Sequence, residues 1–349
     1  MDLMNNEKHY NTFNNYLKNR FNHKVFKVSL NAGMTCPNRD GTKSKMGCIY
    51  CSSSLSGDFA GKVSDDLKTQ FNEVLNDELK KWKDATYIAY LQAGSNTYQQ
   101  IEELDRIYNE IINLNDNIEI ISIATRPDCI NEEIVELLAK INQKKEVWIE
   151  LGLQTINPNT SKLINKCYDN VDFEKAVRLL NEKKIKIIVH IINGLPNDTY
   201  SDMLNIIHYL NKFNLFGLKI HMLHILKNTP LELYYKEHPF HVLSLEEYVR
   251  IVVDQLKILN PNIILHRLTG DGKKEDLIEP LWTLKKFVVL NEIDKLMRKE
   301  NVYQGDLYEN NWLCSSTLFK SFKRYINCYW CYLWQWFRYL FFSWNCKKW

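Results

Sequence analysis

Six times between residues 24 and 223 an apolar, β-branched run of six to eight residues is followed by a stretch with helical periodicity, at roughly thirty-residue spacing. That repeat constrains the fold more than any other feature. The runs are KVFKVSL (24–30), TYIAYLQA (86–93), IEIISIAT (118–125), VWIELGL (147–153), IKIIVHII (185–192) and FGLKIHML (216–223). The intervening segments carry apolar residues on one helical face: Leu67, Phe71, Val74, Leu75, Leu79 and Trp82 in the first, then Leu104, Ile107, Tyr108, Ile111 and Ile112 in the second. Ser64 is the expected cap of the first helix, with Lys80, Lys81 and Lys83 at its far end, and Asn131 caps the helix carrying Ile134, Leu137, Leu138 and Ile141. Helices with Phe173, Val177 and Leu180, and with Met203, Ile206, Ile207, Leu210 and Phe213, complete the alternation. Strands separated by helices are joined in parallel through right-handed crossovers.

Nearly continuous apolar strands belong to a sheet covered on its faces, either doubly wound or closed toward a barrel. Polar and glycine residues gather after successive strands, at the Cys36 loop, Gln92–Asn96, Thr125–Asp128, Gln154–Thr155, Asn193–Pro196 and His221–His224. A barrel collects its active site at those strand ends, so the pattern favours α/β class, a partial (β/α)6 TIM-type barrel of parallel strands, over residues 1–240. Residues 241–309 read as a C-terminal α/β appendage without a linker: Ser244 and Glu247 make a capping box, Pro261 stops that helix, a short strand NIILHRL follows, and a last helix runs to about Arg298.

The chemistry of the chain is concentrated in residues 31–51, where Cys36, Cys48 and Cys51 stand at C-x11-C-x2-C spacing directly after the first strand. Three thiolates suit a cubane iron-sulfur cluster with one iron left open. A zinc site with a fourth ligand such as His23, or three thiols without a metal, are the competing readings. Nine cysteines, an odd and scattered set, argue against a disulfide framework, and the polar, aromatic N-terminus lacks an apolar signal segment; the expectation is a cytoplasmic protein.

Residues 310–349 change character, with INCYWCYLWQWFRYLFFSW and a Cys328, Cys331 pair. An interfacial membrane element, a second metal site with Cys314 and Cys346, and a tail foreign to the fold all fit that composition. The tail carries six cations and no acid, so of the net charge of +3 the body accounts for −3. Composition therefore does not make the body a nucleic-acid binder, and the run Lys140, Lys144, Lys145, Lys162 and Lys166 reads first as a solvated surface.

Taken in order, TCPNRDGTKSKMGCIYC, AYLQAGSNTY, SIATRPDCI, WIELGLQT, HIINGLPND, KIHMLHILKNTPL, RLTGDGKKEDLIEPLW and YQG closely resemble the radical SAM family of the YhcC/YtqA type over residues 10 to about 308. The resemblance implies a 4Fe-4S cluster on Cys36, Cys48 and Cys51 whose open iron chelates S-adenosyl-L-methionine, and reductive cleavage to a 5′-deoxyadenosyl radical fed by a donor such as flavodoxin or ferredoxin. It implies that Tyr50 lies against the adenine and that Gly94 and Ser95 receive the methionine amino group. Ser122, Thr125 and Arg126 are suited to ribose and carboxylate, Glu150 and Gln154 flank the fourth strand end, and His190 and Gly194 belong to an adenine-side turn. Within apolar strands, Glu150 and His190 fit a structural hydrogen-bonded role equally well.

More distantly the chain resembles the Elongator catalytic subunit and methylthiotransferases. These imply a tRNA substrate, and the resemblance to the YtqA type implies conversion of wobble 5-carboxymethylaminomethyl-uridine toward its aminomethyl form. His221, His224, Lys227, Arg267, Asp271 and Lys273 are the candidate substrate contacts. A different radical SAM substrate, or a non-catalytic iron-sulfur electron carrier or sensor, are the alternatives.

Overall fold

A computed structural model describes residues 8–21, 23–78 and 85–309, excluding the side chains of 76–78. The expected 310–349 tail, with its cysteine pair, lies outside the described residues, as do Leu79 and Trp82. In chain order the elements are α1 (Phe13–Phe21), β1 (Val25–Leu30), α2 (Leu67–Glu78), β2 (Thr86–Leu91), α3 (Ile101–Ile112), β3 (Ile118–Thr125), α4 (Glu132–Asn142), β4 (Glu146–Gln154), α5 (Pro158–Leu163), α6 (Asn170–Glu182), β5 (Lys186–Asn193), α7 (Tyr200–Leu210), β6 (Gly217–Met222), β7 (Ile225–Leu226), α8 (Pro230–Glu237), α9 (Leu245–Ile258), β8 (Ile264–Arg267), β9 (Leu277–Glu279) and α10 (Lys286–Glu300).

The six expected strands pair in sequence order, all parallel, and β8 adds a seventh beside β6. The sheet is a curled half-barrel. It therefore runs on into the segment after residue 241, because Ile264 and Leu265 bury their side chains and register with Gly217 and Leu218. β7 and β9 form a separate antiparallel pair.

The outer core lies between the sheet and α2–α4, α6, α7, α9 and α10, and the apolar faces expected for α3, α4, α6 and α7 are buried there. Asn131 and Ser244 cap their helices as expected. Two details of α2 differ: Asp66 Oδ1, not Ser64, accepts from the Thr69 amide at 2.6 Å, and Val74 is exposed. Val74 falls on the edge of the helical face that Phe71 and Leu75 centre on the sheet.

Inside the curl, a smaller cluster of Ile88, Ile120, Trp148 and Ile188 is closed by α1, whose Phe13 stacks on His266 at 4.2 Å and meets Trp148 edge-on at 5.8 Å. Tyr16 packs against Phe216 at 5.1 Å. This aromatic plug fills the N-terminal end of the half-barrel. What remains open is the C-terminal end, where the loops are.

Candidate active site

The cysteine loop leaves β1 and is fixed by its own backbone. Amides of Arg39 and Asp40 donate to the Cys36 carbonyl, the Cys51 amide donates to the Cys48 carbonyl at 3.0 Å, and Arg39 Nη2 reaches across to the carbonyls of Cys51 at 2.7 Å and Ser52 at 3.1 Å. Gly47 makes this crossing possible: it sits at φ +72, and a Cβ there would stand 2.2 Å from Arg39 Nε. All three thiols are free and line one cavity of about 460 Å³ at the strand ends.

No group of three or more His, Cys, Asp or Glu side chains converges on a single-ion geometry among the described residues. A cubane does not need one, since each thiolate binds a different iron. The donor set also fits the cluster through its surroundings: Asn38 Nδ2 lies 3.5 Å from Cys48 Sγ, and the Ser56 hydroxyl 3.7 Å from Cys51 Sγ. Burial pushes the Cys48 thiol up to about 11 and raises Cys51 as well. His23, the alternative zinc ligand, bonds the Thr86 hydroxyl at the opposite end of β1 and is not part of this loop.

The strand ends then add their residues one by one. Gly94, at φ +76, lies so close to the cysteine loop that a Cβ would meet the Met34 carbonyl oxygen at 2.2 Å, and the Ser95 amide donates to the Thr35 carbonyl at 3.0 Å. This glycine is needed for the seam between two backbones, beyond any turn. Thr125 lines the cavity with its hydroxyl bonded to Thr97 at 2.6 Å. Arg126 lines it too, but its fork is closed on Asp128, with Nε and Nη2 each 2.9 Å from a carboxylate oxygen, while Lys43 holds the same Asp128. Its guanidinium stacks 4.7 Å over the Tyr168 ring. In the structure, then, the carboxylate gripped by Arg126 is an internal one.

Gln154 ends β4 in the left-handed region at φ +60, where the register with β5 shifts, and its Oε1 accepts from the Tyr168 hydroxyl at 2.6 Å. A non-glycine residue held there at a cavity wall is strained backbone that its surroundings must enforce. Tyr50 lines the mouth above an apolar cluster with Ile49, Ile164, Leu195 and Leu223. Of the candidates, Gly194 and Ser122 do not line the cavity: Gly194 packs toward Leu243, and Ser122 is fully buried beneath the wall. Lys227 and Lys273 are also outside it.

Deeper, at mid-strand, a charged layer crosses the half-barrel. Glu150 is its centre. Oε1 accepts from Lys27 Nζ and Ser122 Oγ, each at 2.7 Å; Oε2 accepts from Lys219 Nζ and faces His190 Nε2 at 2.7 Å. Burial works against the charge on Glu150, but Lys219 and Lys27 outweigh it and hold the carboxyl well below its usual range. Burial, reinforced by the Lys219 cation, drives His190 down to about 4. His221 stands 5.3 Å from His190, ring to ring, and with His224 and Arg267 it completes the wall.

Sequence reasoning missed Lys27, Lys219, His266 and Tyr168, although single charged or polar residues inside apolar runs were a signal for the first two. Lys166 differs from its expected place on a lysine-rich surface. It is fully buried, donates to the Leu153 and Thr155 carbonyls at 3.3 and 3.1 Å, and burial lowers it to about 8. Of the other lysines of that run, Lys140 pairs with Asp105, and Lys144 and Lys145 donate to the Asn109 side chain and the Asp116 carbonyl.

The family models agree with this geometry. Residues 36–210 match the radical SAM superfamily, and residues 216–299 the radical SAM C-terminal domain. YtqA of Bacillus subtilis is 43% identical over 87% of this chain and 94% of its own, and YhcC of Escherichia coli is 29% identical over 88% and 98%. Among solved structures, the archaeal Methanocaldococcus infernus Elp3 lacking its N-terminus superposes with a TM-score of 0.61 at 17% identity, covering 81% of this chain and 64% of that one, a likeness of fold. With three cysteines lining a cavity at the open end of a parallel half-barrel, and with both family models matching, this chain belongs to the radical SAM superfamily.

Proposed function

We propose that Cys36, Cys48 and Cys51 hold the family's 4Fe-4S cluster, that S-adenosyl-L-methionine binds between this loop and the ends of β2 to β5, and that the substrate enters the cavity above the Glu150 layer. When bound, the cluster and S-adenosylmethionine supply one-electron chemistry that removes a hydrogen atom from the substrate. The chain's own residues bind, orient and keep the site dry. The Gly94–Ser95 seam and Tyr50 shape the mouth, and Thr125 and Gln154, both braced by neighbouring hydroxyls, offer polar atoms for the sugar and amino-acid ends. Arg126 contributes through Asp128, as a brace. Gly194 and Ser122 act from behind the wall.

A single observation carries the enzyme reading over an electron carrier: the three thiols open onto a cavity that continues past them to a charged floor, which electron transfer alone does not require. The substrate we infer is tRNA, with wobble 5-carboxymethylaminomethyl-uridine taken toward its aminomethyl form. Support comes from the resemblance to tRNA-acting radical SAM enzymes and from Phe59, 53% exposed at the cavity rim, where an unstacked base can lie on an aromatic face. The protein then works in the cytoplasm with flavodoxin or ferredoxin as reductant. No helix among the described residues is long and apolar enough to cross a membrane.

Anaerobic reconstitution, reduction and addition of S-adenosylmethionine tests the chemistry, and 5′-deoxyadenosine above a Cys48→Ala control is expected. Nucleoside mass spectrometry of tRNA from a deletion strain tests the substrate. Accumulated 5-carboxymethylaminomethyl-uridine is expected, and an unchanged profile overturns the tRNA assignment.

A further inference from the structure

Glu150 is the acid at the centre of the charged layer, and the protein itself uses all of it. A carboxylate has about four lone-pair sites, and Lys27, Ser122, His190 and Lys219 occupy them. The other acids along the cavity are engaged elsewhere: Asp58 takes the hydroxyls of Ser52 at 3.0 Å and Ser54 at 2.7 Å, and Asp271 takes Arg267 at 3.1 Å and Lys286 at 3.3 Å. Two ammonium groups therefore face one carboxylate at mid-barrel. With both lysines protonated, the layer carries one positive charge too many.

That surplus lies where water is scarce. The Lys219 side chain is 8% exposed and that of Lys27 23%, and both ammoniums sit over the Tyr90 ring, Lys27 at 3.9 Å and Lys219 at 4.7 Å. Burial lowers Lys219 to about 7 against the pull of Glu150, so a bound anion is what would keep its ammonium fully charged at neutral pH. Beside them the buried Nε2 atoms of His221 and His224 have no hydrogen-bond partner. Open ring nitrogens and unmatched ammonium charge on one cavity wall call for a ligand oxygen anion.

We propose that Lys27, Lys219 and His221 form a subsite for a carboxylate group of the substrate, with the ammoniums supplying charge and His221 a hydrogen bond in its Nε2–H tautomer. The inference rests on the proposed reading of this cavity as the substrate chamber. One surplus charge matches a monoanion. A phosphate dianion would stay under-neutralised, and the cavity's guanidiniums, Arg267 and Arg126, are committed to Asp271 and Asp128. The carboxymethyl end of the proposed nucleoside has the required chemistry. S-Adenosylmethionine carries a carboxylate too, but Lys27 and Lys219 each lie three residues, about 10 Å, back along β1 and β6 from the strand ends.

The test uses the full cluster-loaded chain with saturating S-adenosylmethionine, and ligand-observed NMR with N-methylglycine and with N-methylglycinamide. The wild type is expected to bind the carboxylate about tenfold or more tightly than the amide, and Lys219→Gln, checked for folding by circular dichroism, to abolish that preference. Should Lys219→Gln fail to fold, Lys27→Gln replaces it, and the wild-type comparison stands without either variant. Equal binding of the two probes overturns the subsite, as does N-methylglycine binding that is seen only when S-adenosylmethionine is left out. A carboxylate preference alongside unchanged tRNA in the deletion strain keeps the subsite and removes the tRNA reading; the reverse result removes the subsite alone.

Discussion

Lys219 Nζ and Glu150 Oε2 form an ion pair at mid-barrel, with the carboxylate side chain wholly buried and the lysine nearly so. Such a pair is costly to break from one side, because the partner is left charged and dry. Glu150→Gln leaves two ammoniums facing each other, and a loss of about 3–5 kcal/mol is expected from urea unfolding of the full chain. Adding Lys219→Met should recover part of that loss. Strict additivity of the two substitutions would show that they do not interact.

His190 gives the layer a pH signature. Its folded value of about 4 lies below the ordinary 6.5, so between those limits the unfolded chain binds a proton that the folded chain refuses. Its contribution is complete above about pH 6.5 and is lost as pH falls toward 4. Thermal unfolding followed across that range should show the wild type losing stability before most carboxylates titrate. His190→Gln should remove about 1–3 kcal/mol of the loss. An identical pH slope in the variant would place the titration on other groups.

How much of this could be read from the chain varies with the kind of residue. Strands β1 to β6 and the buried faces of α3, α4, α6 and α7 were legible because periodicity reports burial directly. The cysteines stood out by their spacing, and the structure brings all three thiols to one cavity. The seventh strand was placed in an appendage, since four residues after Pro261 carry too little pattern to assign a sheet partner. Helix α1 went unrecognised: Phe13, Tyr16, Leu17 and Phe21 have helical spacing, but they face a plug inside the curl, a place only the closed sheet creates. The Glu150 layer joins β1, β3, β4, β5 and β6, whose sequence separations reach 192 residues between Lys27 and Lys219. No local signal reports such a meeting. Lys166 is a shorter-range case: carbonyls 13 and 11 residues back, at the end of β4, draw it inward, which a lysine-rich composition does not report.

Gly94 tests whether the seam between the β2 turn and the cysteine loop matters for cluster assembly. Gly94→Ala places a Cβ against the Met34 carbonyl and asks alanine to adopt φ +76, a strain of about 1–3 kcal/mol. The sheet does not depend on that contact, so far-UV circular dichroism should be unchanged while iron and sulfide per chain after reconstitution fall. Full loading of the variant would mean that the loop moves aside freely.

Asn38 offers a measurement on the loop itself. Its side chain is fully buried, its Nδ2 donates to the Asn165 carbonyl at 2.6 Å, and the same nitrogen lies 3.5 Å from Cys48 Sγ. A donor aimed at a ligating sulfur stabilises the added electron, so it raises the reduction potential of whatever iron-sulfur group that sulfur holds. Asn38→Leu preserves bulk and removes the donor. A redox titration followed by electron paramagnetic resonance should place its midpoint below that of the wild type. Asn38→Gln can restore the donor only if its longer side chain still reaches Cys48, so the leucine variant is the decisive one. An unchanged midpoint with full iron content would mean that Asn38 serves only to tie the loop to Asn165.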